Sequence, residues 1–175
     1  MRVFIALLFS ETEKKKIFKQ LKNLANNYQG NYTTYNNLHL TLYYIGEIDN
    51  LILEKVINCV KKINFSKFKY ETIGLDCFKN RQKDCLVHLR VKNNLNLKQL
   101  HNEVITKLKD IGIKVFNQKF TPHITLGRKV KINQNDLKQI SPKPIIINAN
   151  KISIMESKRI NGDLVYREID YSMMK

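Results

Sequence analysis

Apolar residues recur along this chain in two alternating rhythms. Val3-Phe4-Ile5-Ala6-Leu7-Leu8 is a short β-rich run, and Ser10 follows it with Glu13 three positions on, the spacing of a helix capping box. The helix it opens gathers Ile17, Leu21 and Leu24 on one face and is expected to close near Tyr28-Gln29-Gly30. A polar loop leads to Leu38-His39-Leu40-Thr41-Leu42-Tyr43, a strict alternation and therefore a strand with one buried face. Asp49-Asn50 then caps a helix carrying Leu53, Val56, Ile57, Val60 and Ile63, and a strand is expected around Glu71 to Phe78.

The order then starts again. Cys85 to Val91 reads as a strand, Leu97, Leu100, Val104, Leu108 and Ile111 define a helix face, and Phe120-Thr121-Pro122-His123-Ile124-Thr125-Leu126 is the next strand. A weaker helix near Gln134 to Gln139 and strands from Pro144 to Glu156 and Leu164 to Tyr171 complete the chain. Phe4 to His39 spans 35 positions and so does His88 to His123, so a β-α-β-α-β unit has been used twice. Two copies of one unit can pack about a pseudo-twofold axis and bring equivalent residues face to face. No Pro-, Gly- or Ser-rich linker divides them, so residues 1–175 are expected to form one domain of two lobes, with approximate halves 1–80 and 84–175.

Candidate chemistry comes from the polar side of the alternating strands. With Leu38, Leu40 and Leu42 turned inward, His39 and Thr41 point together to the opposite face; Ile124 and Leu126 do the same for His123 and Thr125. Across a pseudo-twofold, the two His-x-Thr pairs define a pocket with imidazoles on opposite walls and hydroxyls between them. Such a pocket suits a phosphodiester: hydroxyls and a protonated imidazole can hydrogen-bond its oxygens, and in-line displacement needs a base on one side and an acid on the other. Histidine, with an ordinary pKa near 6.5, fills either role at neutral pH.

Composition adds less. A formal net charge of +16 invites a polyanion, but 25 of the 31 basic residues are Lys, and much of the charge reads as a solvated surface. The hydrophobic fraction of 43% excludes a disordered chain. Cys59, Cys77 and Cys85 form no C-x-x-C pair, make no zinc spacing with His88 and His101, and suit a reducing compartment, so no metal and no cofactor is expected. No run reaches the roughly 20 apolar residues of a membrane span, and the opening run lacks a cleavage site, so the expected location is cytoplasmic and the expected state a monomer.

At these residues the chain resembles the two-histidine (2H) phosphoesterase superfamily, in its RNA 2′,3′-cyclic phosphodiesterase branch, also called the 2′-5′ RNA ligase family. The segments that carry the resemblance are Arg2-Val3-Phe4-Ile5-Ala6-Leu7, Asn37-Leu38-His39-Leu40-Thr41-Leu42-Tyr43-Tyr44-Ile45-Gly46-Glu47, Phe120 to Arg128, and Glu156-Ser157 followed by Gly162 and Tyr166. The resemblance implies an α+β, bilobal fold in which two antiparallel sheets line a central cleft with helices outside. It also implies metal-independent hydrolysis of RNA or nucleotide 2′,3′-cyclic phosphate ends to 2′-phosphomonoesters, with weak reverse ligation. In the family pattern His123 takes the proton from water, His39 protonates the departing 3′ oxygen, and Thr41 and Thr125 hold the non-bridging oxygens. Spacing alone fits either direction.

Arg128 follows the second motif, where the family pattern suggests a phosphate contact; strict alternation sends it inward, so it reaches the cleft only if the strand twists at Gly127. An offset of 84, from His39 to His123, pairs Phe4 with His88 and Ala6 with Arg90, and makes His88 and Arg90 candidates for base or phosphate contacts. Tyr43, which shares parity with His39 and Thr41, and Phe120 are candidate base-stacking residues, as is Tyr32 in the preceding loop. The turn Lys79 to Lys83 and the run Arg128-Lys129-Val130-Lys131 can steer an RNA backbone. Two rival readings stay open: a phosphodiesterase on another small cyclic phosphate or a 2′-5′ oligonucleotide, and a non-catalytic module that binds RNA ends.

Overall fold

The computed structural model describes residues 1–79, 84–116 and 119–175, so most of the basic turn ending at Lys83 lies outside the described residues. The chain runs β1 (Arg2–Leu7), α1 (Glu11–Ala25), β2 (Asn31–Tyr32), β3 (Leu40–Glu47), α2 (Asn50–Lys61), β4 (Phe68–Lys79), β5 (Cys85–Val91), α3 (Leu95–Asp110), β6 (His123–Val130), α4 (Gln134–Gln139), β7 (Ile146–Ala149), β8 (Lys151–Ile160) and β9 (Asp163–Met173). The capping box at Ser10 is formed, with Glu13 Oε2 accepting from the Ser10 amide at 2.8 Å, and Asp49 caps α2 through the Ile52 amide. Helix α1 stops at Ala25, earlier than expected, where Asn27 turns its side chain onto the Asn23 carbonyl. Gly30 serves a different purpose: a Cβ there would lie 2.9 Å from Val130 Cγ2, so glycine lets the chain cross close over β6.

The strands pair antiparallel in the order β7-β4-β5-β6-β3-β1-β8-β9, with β2 laid on β6. The two half-sheets meet at one pair of residues, Leu40 and Ile124, which are 84 positions apart in sequence and therefore equivalent in the repeat. The pseudo-twofold passes between them. Each half-sheet, however, takes strands from the other copy: the single strand β4 lies beside β5, and the pair β8 and β9 lies beside β1. β4 and β5 are neighbours in sequence, and for that pair the local preference outweighs membership of a repeat. The expected strand from Pro144 to Glu156 is in fact two, because the chain leaves β4 after Ala149 and, in the strand that starts at Lys151, joins β1 from Ser153 onward.

One apolar cluster fills the helix side of the sheet. Leu38, Leu40, Leu42, Ile124 and Leu126 are buried there against Ile17, Leu21 and Leu24 of α1 and Leu97, Leu100, Val104 and Leu108 of α3. Each such side chain contributes about 1.5–3 kcal/mol by leaving water. A smaller cluster, Phe4, Ala6 and Met155 with Leu8 and Tyr166 against it, lies apart from the main core. Among the described residues no helix is long and apolar enough to cross a membrane.

Candidate active site

A cavity of about 760 Å³ is lined by both motif histidines, both motif threonines, Arg128 and Phe4. Antiparallel register through Leu40 and Ile124, continued one residue each way, sets His39 across from Thr125 and Thr41 across from His123. The strand period thus delivers two imidazoles and two hydroxyls to one hollow.

Each imidazole is held by the chain just before it. His39 Nδ1–H donates to the Asn37 carbonyl at 2.7 Å, and His123 Nδ1–H donates to the Thr121 carbonyl at 2.8 Å. A carbonyl only accepts, so both neutral rings carry their proton on Nδ1 and keep Nε2 for other work. Thr41 donates its hydroxyl to His39 Nε2 at 2.9 Å. Two rings flank each histidine: Phe4 and Tyr166 lie 5.0 and 5.1 Å from His39, and Phe78 and His88 lie 5.0 and 5.1 Å from His123. Burial inside these aromatic walls pushes the His39 pKa down to about 4, and burial lowers His123 as well.

Arg128 reaches the cavity through a bulge. Val87 pairs with Gly127 and His88 with Thr125, so Leu126 is the extra residue and the alternation reverses after it. The same irregularity occurs in β3, where Ile5 pairs with Tyr43 and Ala6 with Thr41. Tyr43 is therefore turned toward the main core, with its hydroxyl accepting from the Phe116 amide at 3.3 Å, and Tyr44 takes the cleft position that parity assigned to Tyr43. Gly127 is needed here because a Cβ would meet Tyr32 Cδ1 and Val130 Cγ2, each at 2.9 Å. Gly127→Ala should cost about 1–3 kcal/mol of stability and displace Arg128; thermal unfolding checks the first effect, and a drop in affinity for a phosphate-bearing nucleotide checks the second.

The pairing also changes the equivalence of the inner strands. His88 sits where Ala6 does, beside the motif threonine, not where Phe4 does. His88 is buried, stacks on Phe78 at 4.1 Å, and has its pKa pushed down to about 4 mainly by burial, with His123 adding to the effect. Arg90 pairs with His123 but is exposed and does not line the cavity. Phe120 does not line it either: its ring packs on the main core and under His101 at 4.1 Å. Of the run from Arg128 to Lys131, only Arg128 lines the hollow; Tyr32 does so from β2.

Residues 11–159 match the sequence profile of the 2′-5′ RNA ligase superfamily. The chain belongs to that superfamily. It is 30% identical over 131 residues to the RNA 2′,3′-cyclic phosphodiesterase of Thermotoga maritima, covering 73% of this chain and 70% of that one. It is also 30% identical over 143 residues to the protein of that name from Methanocaldococcus jannaschii, covering 79% and 76%. In fold it is similar to E. coli LigT complexed with 3′-AMP, with a TM-score of 0.81 at 19% identity over 99% of this chain and 97% of that one.

Within this superfamily member, several cleft residues escaped the motif reading. Tyr44 and Tyr166 line the cavity beside Arg128, and Arg159 and Asp163 line it from the β8–β9 hairpin. Asn37, Ser157, Gly162 and Tyr166 lie in the segments that carry the family resemblance. That resemblance is the signal pointing at them, since none of the four belongs to the His-x-Thr alternation.

Proposed function

We propose that this chain hydrolyses RNA 2′,3′-cyclic phosphate ends to 2′-phosphomonoesters without a metal, using His39 and His123 as an acid–base pair. The observation that carries the reading is that both rings commit Nδ1 to a backbone carbonyl and line one hollow with two threonines and an arginine. The names of the curated relatives supply the substrate class. Thr41, Thr125 and Arg128 hold the non-bridging oxygens.

The step balances as follows. His123 Nε2 accepts a proton from water as the water oxygen bonds to phosphorus. The bond from phosphorus to O3′ breaks, and His39 Nε2–H delivers its proton to O3′. The product keeps its phosphate on O2′; when a 5′ hydroxyl attacks the cyclic phosphate in place of water, the same loss of O3′ gives a 2′-5′ linkage. In the empty cleft both pKa values are lowered, so both rings are neutral at pH 7; the bound phosphate anion raises them and draws in the proton that His39 donates.

A cyclic-ended oligonucleotide incubated in EDTA should yield a 2′-phosphate. Binding of the end without turnover would leave only an RNA-end-binding module, and turnover lost in EDTA but restored by a divalent ion would remove the metal-independent scheme. A substrate with sulfur at the 3′ position, whose thiolate leaves without a proton, should rescue His39→Ala and not His123→Ala; the opposite result reverses the two roles.

A further inference from the structure

Strand β9 is three places from β3 in the sheet, yet it touches the segment that enters β3. The contact is made by Asn37, which is only 7% exposed and has every kind of polar group it carries engaged. Its amide donates to the Thr34 carbonyl at 3.0 Å, and its own carbonyl accepts His39 Nδ1–H. Its side-chain Nδ2 donates to the Leu164 carbonyl at 2.7 Å, and its Oδ1 accepts from the Tyr166 amide at 3.1 Å. A carbonyl and an amide two residues apart are what one edge of a strand offers a neighbour, so the carboxamide docks on β9 as a one-residue strand.

The consequence concerns His39. The latch joins β3 to β9 around the small cluster of Phe4, Ala6 and Met155, and it presses Tyr166 edge-on against the imidazole at 5.1 Å. Asn37 thus controls the hydrogen bond on Nδ1 and, through Tyr166, one wall of the ring. Among the described residues the second motif shows no such device: the equivalent residue, Thr121, is exposed and offers His123 its carbonyl.

We propose that Asn37 is a positioning residue for His39, latching the edge of β9 to the segment that carries the imidazole and thereby fixing the ring's tautomer and orientation. The kinetic part of this proposal rests on the acid–base reading above; the placement of the ring does not. Misplacing a reacting group by about 1 Å costs up to about 100-fold. Asn37→Ala should therefore lower kcat by about 10- to 100-fold, change KM by less than about threefold, and move the limb of the pH profile that His39 sets.

Long-range nitrogen–proton NMR of the imidazoles reads the tautomer with no substrate present. Wild-type His39 should be the pure Nδ1–H form. In Asn37→Ala it should become a mixture, with His123 unchanged as the internal control. Asn37→Asp keeps the shape and the acceptor for Tyr166 but offers its carboxylate no proton for the Leu164 carbonyl, and should disturb His39 in the same way. The proposal is overturned by a mixed tautomer in the wild type, or by a folded variant of either kind whose His39 spectrum and pH profile match the wild type while only its melting temperature falls. If the wild type shows the expected tautomer but no turnover of cyclic phosphate, the positioning stands and the activity assignment falls.

Discussion

His39→Ala and His123→Ala should each lower kcat on a cyclic-ended oligonucleotide by about 10²- to 10⁴-fold, the usual contribution of one general acid or base. The effect should be that large because, among the described residues, His39 and His123 are the only imidazoles lining the hollow. His88 has its ring against His123 and not in the cavity lining. The pH profile gives the same assignment an independent check. The base must be neutral and the acid protonated, and burial lowers both pKa values in the empty cleft, His39 to about 4. The kcat/KM bell, which reports the free protein, should peak below pH 6.5 and fall as pH rises and the proton needed by the acid is lost. Bound phosphate favours that proton, so the kcat profile should lie at higher pH. A kcat/KM optimum above pH 7.5 would contradict the burial that sets these shifts.

The second large effect belongs to the junction of the half-sheets. Leu40→Ala should cost about 2–5 kcal/mol in chemical unfolding, since the side chain is fully buried and its neighbours are held by two different sets of strands. Leu108→Ala in α3 empties an equally buried site remote from the cleft and should cost a similar amount. Only Leu40→Ala should also reduce kcat below the melting temperature, because residues 39 and 41 move with it. Equal kcat in the two variants would show that the junction supports stability without aligning the motifs.

The motif pairs were legible because a strand's period of two is strict from Leu38 to Leu42, and a one-residue error would have put Leu40 in water. Parity fails at the next residue, Tyr43. A bulge adds one residue without changing the hydrophobic pattern, so Tyr43 and Tyr44 look interchangeable in sequence; only Gly127, at the equivalent point of β6, hinted that alternation breaks. The spacing of 35 found twice, from Phe4 to His39 and from His88 to His123, misled for a related reason. Ala6 pairs with Thr41 but His88 pairs with Thr125, so the connection from inner strand to motif strand is two residues longer in the second copy. The exchange of strands between copies left no trace in hydrophobic pattern, because β4 alternates from Phe68 to Thr72 and β8 is buried on both faces from Ile152 to Glu156, and neither pattern names a partner strand.

That exchange has a consequence for how such a chain persists. Each half-sheet needs strands written in the other copy, with β4 completing one and β8 and β9 the other. Neither copy can therefore be deleted, shuffled elsewhere or melted by itself without opening both half-sheets. The two motif strands therefore keep their places together or lose them together.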